Sequence, residues 1–257
     1  MSLLRQLTKA AMTTMLPSSW LLTHGPRERG GSEKIQIALT FDDGPHPEHT
    51  PRLLDALEAV KAKATFFVIG ERAIQNPSLI KRIANSGHEL GNHTWSHSDP
   101  AKTSATHFRH EVRKTRQLIQ DLTGRDCRLM RPPLGKLTLP KMFQLWQEQQ
   151  TIVLWNTDPK DFAMTDSQQV HGWLDHYLPC GGDIVLLHDN HSHATLAVER
   201  LTAATDSPMK FVTISSWQQT NVAIIAPRDE PDSQTALMND RLVTRSDDGY
   251  LLKQKGF

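Results

Sequence analysis

Short apolar runs alternate along the chain with longer stretches in which apolar residues return every three or four positions. Ile35-Gln36-Ile37-Ala38-Leu39-Thr40-Phe41 is β-rich and stops at Asp42-Asp43-Gly44-Pro45, a turn signal. Thr50-Pro51 then opens a helix, with Thr50 as N-cap, Pro51 in the first turn and Leu53, Leu54, Leu57 and Val60 at helical spacing. The alternation repeats as strands over 64–69, 88–93, 129–131, 152–155, 184–187 and 210–214, with helices over 77–85, 104–122, 140–149, 166–178 and 195–204. Seven strands alternating with helices predict a parallel α/β architecture, and continuously apolar strands fit a sheet covered on both faces.

The 257 residues leave room for one domain or two, and the periodic region decides for one barrel-like unit over 34–219. Residues 1–33 are a lead-in and 220–257 a polar C-terminal extension. Lys and Arg total 29 against 28 Asp and Glu, so neither a basic footprint for nucleic acid nor an acidic, solvating character is present. Cys127 and Cys180 lack metal-type spacing, and two free thiols are expected. The longest uncharged stretch near the start, 10–26, carries Thr, Ser, Pro and His, whereas a membrane span needs about 20 mostly apolar residues. Pro17-Ser18-Ser19 interrupts any signal-peptide core, which favours a cytoplasmic location. Nothing in the composition sets the oligomeric state.

The candidate chemistry falls almost entirely after strands. Asp42 and Asp43 follow the first strand, His93 and His97 the third, Arg131 ends the fourth, Asp158 and Asp161 follow the fifth, and His188 and Asp189 the sixth. In a parallel barrel the C-terminal strand ends share one rim, where active sites lie. Taken singly, each group also has a plain structural role. Paired aspartates cap turns, Arg131-Pro132-Pro133 makes a stiff turn, and His188 fits a satisfied core histidine. His93-Thr94-Trp95-Ser96-His97 puts two imidazoles four residues apart, on one side of a helical turn. With one carboxylate they make three protein ligands and leave a position open, the ligand count of a catalytic zinc-type site. His46, His49, His191 and His193 are loop residues without an assigned role, and Trp95, Trp155 and Trp217 fit either core packing or a sugar-stacking surface.

Thr40-Phe41-Asp42-Asp43-Gly44-Pro45, the His93–His97 motif, Arg131-Pro132-Pro133, Asp158-Pro159-Lys160-Asp161-Phe162 and Ile184-Val185-Leu186-Leu187-His188 occur in this order. On these motifs the region from Ile35 to Trp217 resembles the polysaccharide deacetylases of the NodB-homology type, carbohydrate esterase family 4. The resemblance implies a distorted (β/α) barrel of about seven parallel strands that hydrolyses acetyl groups from an acetylated glycan, such as chitin oligomers or peptidoglycan. It implies one divalent metal ion, Zn²⁺ first and Co²⁺ or another ion as alternatives, held by Asp43, His93 and His97. Asp42 becomes the general base, Arg131 its orienting partner, His188 the general acid and Asp161 the carboxylate that polarises it. The backbone N–H of Leu134 binds the oxyanion, Leu186 lines the acetyl-methyl pocket, and Phe162 forms part of the groove wall. Leu134 and Phe162 depart from the family's usual aromatic and Trp, which puts the polymer preference in doubt more than the chemistry. Another C–N hydrolase on the same scaffold and a catalytically silent glycan-binding module are the competing expectations.

Overall fold

The computed structural model describes residues 16–27, 34–203 and 209–217. Its strands are β1 (Leu21–Leu22), β2 (Ile35–Gly44), β3 (Thr65–Val68), β4 (Glu89–Asn92), β5 (Leu129–Met130), β6 (Thr151–Val153), β7 (Ile184–His188) and β8 (Met209–Phe211). The helices are α1 (His49–Ala59), α2 (Gly70–Gln75), α3 (Pro77–Asn85), α4 (Ala105–Thr123), α5 (Leu139–Gln147), α6 (Ser167–His176) and α7 (His193–Thr202). Every strand pair is parallel, in the order β1-β6-β5-β4-β3-β2-β7, with β8 beside the start of β2. Thr157, beyond β6 and so next to one end of this path, forms a single parallel bridge to Val185 of β7 at the other end. The sheet therefore curls toward a barrel whose last seam is one bridge rather than a ladder.

All seven expected strands are present. The eighth, Leu21–Leu22, lies in the expected lead-in and pairs with Ile152 and Val153. Two residues are too short for any periodicity to reveal, and only their partner β6 makes them a strand. Helix α4 begins where expected, its N-cap Ser104 accepting a bond from His107 N–H, and ends on Gly124 in the left-handed region. Helix α1 departs from expectation. It starts at His49, and the Thr50 hydroxyl donates to Asp189 Oδ2 at 2.6 Å instead of capping. A cap would use the hydroxyl oxygen as acceptor, and Thr50 Oγ1 instead accepts His46 N–H at 2.7 Å from before the helix. The extension over 220–257 lies outside the described residues.

The outer face of the sheet packs Leu39, Phe41 and Phe66 against Leu53, Leu54, Ile80, Ile83 and Val198 of the surrounding helices. The inner face starts at its base with Ala38, Phe67, Val153 and Ile184, over buried Trp217. Because strand side chains alternate, the face that presents Ala38 presents Thr40 and Asp42 further along β2. The same period takes β7 from Ile184 through Leu186 to His188. The inner face thus turns from apolar to ionisable toward the C-terminal strand ends. Among the described residues, no helix is long and apolar enough to cross a membrane.

Candidate active site

A bulge at the end of β2 brings two consecutive carboxylates to one side. The register with β3 shifts between Asp42 and Gly44, and Asp43 sits at φ 70°. Regular pleating would send Asp43 to the opposite face. Instead Asp42 Oδ2 and Asp43 Oδ1 both face His93 Nε2, at 3.7 and 3.5 Å. Gly44 is required beside them: a Cβ there would meet the Asp189 carboxylate at 2.2 Å.

His93 and His97 converge from a loop, not from the helical turn expected. Thr94 and His97 take positive φ. Asn92 secures the start of this loop, its Oδ1 accepting Thr94 N–H at 2.9 Å, and Thr94 Oγ1 accepts His97 N–H at 3.2 Å. His93 Nδ1 is 2.7 Å from the Arg131 carbonyl, which leaves Nε2 to face Asp43. His97 Nε2 lies 3.3 Å from Asp43 Oδ1, a buried oxygen with no hydrogen bond. Tetrahedral zinc, with bonds of about 2.0–2.2 Å, sets its ligand atoms about 3.3 Å apart. The separations at Asp43 and its free oxygen therefore fit a divalent ion. Burial pushes Asp43 up, but His93, His97 and His188 outweigh it and hold the carboxyl well below its usual range. Burial, aided by His93, lowers His97 and favours its neutral, ligating form.

Arg131 is wholly buried beneath Asp42. Its Nη1 donates to Asp42 Oδ1 at 2.7 Å and to Thr40 Oγ1 at 2.8 Å, while Nε reaches the Val153 carbonyl at 3.3 Å. The guanidinium carbon lies 4.2 Å from the Phe67 ring centroid. Asp42 is thereby fixed through one oxygen, and the other is turned toward His93. Asp42 and His188 are register partners on adjacent strands β2 and β7.

Asp161 sits in a short 3-10 turn, Asp161–Ala163, and grips His188 at two points. His188 Nδ1 is 2.7 Å from Oδ1, and the His188 backbone N–H donates to Oδ2 at 2.8 Å. Burial alone lowers a histidine. The hydrogen bond to Asp161, with the charges of Asp161, Asp42 and Asp43, overrides it and pushes His188 up to about 9. Phe162 is exposed and meets His188 edge-on at 5.5 Å. Leu186 is buried two residues before His188, and Leu134 is exposed at φ 59° in the turn Pro133–Gly135. Asp158 serves its own loop, its Oδ1 accepting Lys160 N–H at 2.9 Å.

Several contacts had no signal in the sequence. Arg72 of α2, a helix too short to show periodicity, donates to the Asp43 carbonyl. Buried Asp189 backs Gly44 and is pushed up to about 7, chiefly by burial. His191 lies beside Asp161, and His49 and His193 begin helices rather than occupying loops. Trp217 is core, Trp155 packs beside the inner cluster and under Gly135, and Trp95 lies beneath Lys114. Both cysteines are free, Cys127 buried and Cys180 exposed.

Residues 29–147 match the sequence model of a family described as polysaccharide deacetylase. A peptidoglycan-N-acetylglucosamine deacetylase of Bacillus cereus is 33% identical over 211 residues, covering 80% of this chain and 76% of that protein. The chain belongs to the polysaccharide deacetylase family. The peptidoglycan-N-acetylglucosamine deacetylase PgdA of Listeria monocytogenes is 34% identical over 77% of the chain, but this chain spans only 41% of its length. The solved structure of peptidoglycan deacetylase PdaC from Bacillus subtilis superposes with a TM-score of 0.68 at 28% identity, covering 82% of this chain and 100% of that one. The parallel α/β fold of this family member is thus shared with a solved relative, and Asp42, Asp43, His93, His97, Arg131, Asp161 and His188 gather around the C-terminal ends of β2, β4, β5 and β7.

Proposed function

We propose that this chain is a divalent-metal-dependent hydrolase that removes acetyl groups from N-acetylated amino sugars of a glycan. The observation that carries this is the open Asp43–His93–His97 group, flanked by Asp42 and His188 as cross-strand partners. Zn²⁺ suits this donor set, with Co²⁺ an alternative, and such an ion supplies Lewis acidity toward water and an acyl oxygen. Asp42, locked by Arg131 through Oδ1, accepts the proton of the attacking water at Oδ2. His188, beside Asp42 on the neighbouring strand, holds a proton and passes it from Nε2 to the departing amine, which leaves poorly as an anion. Asp161 keeps that imidazole charged and aimed. The Leu134 N–H completes the oxyanion site, a donor type whose loss costs about 10²–10³ in rate. Leu186 faces the acetyl methyl, and exposed Leu134 and Phe162 form walls of the groove.

The substrate class follows the relatives, which are named for peptidoglycan N-acetylglucosamine, peptidoglycan N-acetylmuramic acid and chitooligosaccharides. The test is acetate release by the metal-stripped chain, with and without added Zn²⁺ or Co²⁺, on peptidoglycan, chitin oligomers and acetylxylan. Metal-dependent release from at least one N-acetylated glycan is expected. No release from any of them, with turnover of a cyclic imide, overturns the proposal.

A further inference from the structure

A second Asp-His-His group stands behind the acid. The carboxylate of Asp161 and the ring nitrogens of His188 and His191 lie within 4.8 Å of one another. His191 Nε2 is 3.8 Å from Asp161 Oδ2, and His188 Nδ1 is 2.7 Å from Asp161 Oδ1. Both ring nitrogens of His191 are buried from solvent and make no hydrogen bond. An imidazole always carries a lone pair or an N–H that wants a partner, so two orphaned nitrogens on one ring call for an occupant. His193, whose ring is 4.6 Å from that of His191, is engaged through Nδ1 with the Asp161 carbonyl at 3.1 Å. It therefore fixes the turn without competing for the carboxylate.

We propose that Asp161, His188 and His191 form a second site for a borderline-soft divalent cation such as Zn²⁺ or Co²⁺, and that filling it inhibits the deacetylase. The donor set, two imidazoles and one carboxylate, is that of a three-ligand zinc site with water completing the tetrahedron. The ligand spacing of about 3.3 Å that such an ion prefers lies between the separations of the two rings from the carboxylate, 2.7 Å from His188 to Oδ1 and 3.8 Å from His191 to Oδ2. Closing on an ion needs the Asp161–His188 pair to open by about 0.6 Å. His191 must approach by a similar amount, and it sits in a bend rather than a helix or strand. The ion takes the place of the Nδ1 proton between His188 and Asp161, and that proton leaves to solvent. Nε2–H stays, but on a ring whose partner carboxylate is now spent on the ion, so it is a poorer donor to a departing amine. The inhibition rests on the role proposed for His188; the binding does not.

Metal-stripped full-length chain, titrated with Co²⁺ and counted by equilibrium dialysis with visible absorption, separates the two. The wild type is expected to take up two equivalents, H191A one and H97A one. With Zn²⁺, the rate at tenfold excess over the rate at one equivalent is expected to fall at least tenfold in the wild type and to return to about one in H191A. H191Q, which keeps the side chain's bulk, gives the same readings if H191A folds poorly. A single equivalent in the wild type, lost in H97A, overturns the second site and leaves the proposed function standing. So does a second equivalent still bound by both His191 variants. Two equivalents reduced only by the His191 variants support the second site while overturning the ligand role of His97.

Discussion

Asp43 with His93 and His97, and Asp161 with His188 and His191, are each built from one aspartate and two histidines on one rim, yet they are in opposite states. In the first, Asp43 Oδ1 is buried without a hydrogen bond and faces two imidazole nitrogens at 3.3 and 3.5 Å. In the second, carboxylate and imidazole have closed on each other at 2.7 Å. The difference comes from where the other atoms of each residue are tied. His93 is held from behind by the Arg131 carbonyl, so its free nitrogen stops short of Asp43. Asp161 is pulled onto His188 by that residue's own backbone N–H. Residue identity supplies the donors, and second partners decide whether carboxylate and imidazole stand apart or close on each other.

The strongest way to break this contrast is to remove the open group. D43A or chelation should lower acetate release by at least about 10³-fold, measured at saturating glycan. D42N should reduce kcat by about 10²–10⁴ with a smaller change in KM, the range for a lost general base. Because it leaves Arg131 buried without its anion, a fall of several kcal/mol in unfolding free energy should accompany the loss, read by urea denaturation.

D161N tests the closed group. In metal-free protein, the His188 imidazole should titrate near 9 in the wild type and move down toward the ordinary 6.5 in D161N, followed by NMR. The sign for stability follows from the upward shift. The His188–Asp161 coupling stabilises the fold fully below pH 6.5 and is lost as pH rises through 9. The stability gap between wild type and D161N should therefore narrow over that window.

G44A probes the bulge that serves the first group, and its Cβ would sit 2.2 Å from the Asp189 carboxylate. A loss of about 1–3 kcal/mol is expected from overpacking, seen as a lower Tm. The smallest effect belongs to F162A. It should change KM for different glycans within about tenfold and leave kcat near wild type, since Phe162 is exposed and touches His188 only edge-on.

Much of this was readable before any coordinates. The alternation of apolar runs with helical spacing located seven strands, because strands covered on both faces must be apolar throughout. The placement of Asp42, Asp43, His93, Arg131, Asp161 and His188 after strands located the rim. Errors arose where a local rule met a distant partner. Thr50 has the sequence of an N-cap but spends its hydroxyl on Asp189, 139 residues away. The His93–His97 spacing suits a helix, but Asn92 and two positive φ angles fold a loop that reaches the same convergence. Leu21 and Leu22 carry no strand signal, because a two-residue strand exists only through its neighbour β6.

The sequence alone determined the order of elements, the parallel sheet and the identity of the donors, since these follow from local periodicity and residue chemistry. Tertiary structure alone decided that Asp42 and Asp43 share a side, that Asp42 faces His188 across two strands, and that His191 joins Asp161. Those outcomes depend on a bulge, a register and a loop path. Each is set by contacts between residues far apart in the chain, which no local pattern records.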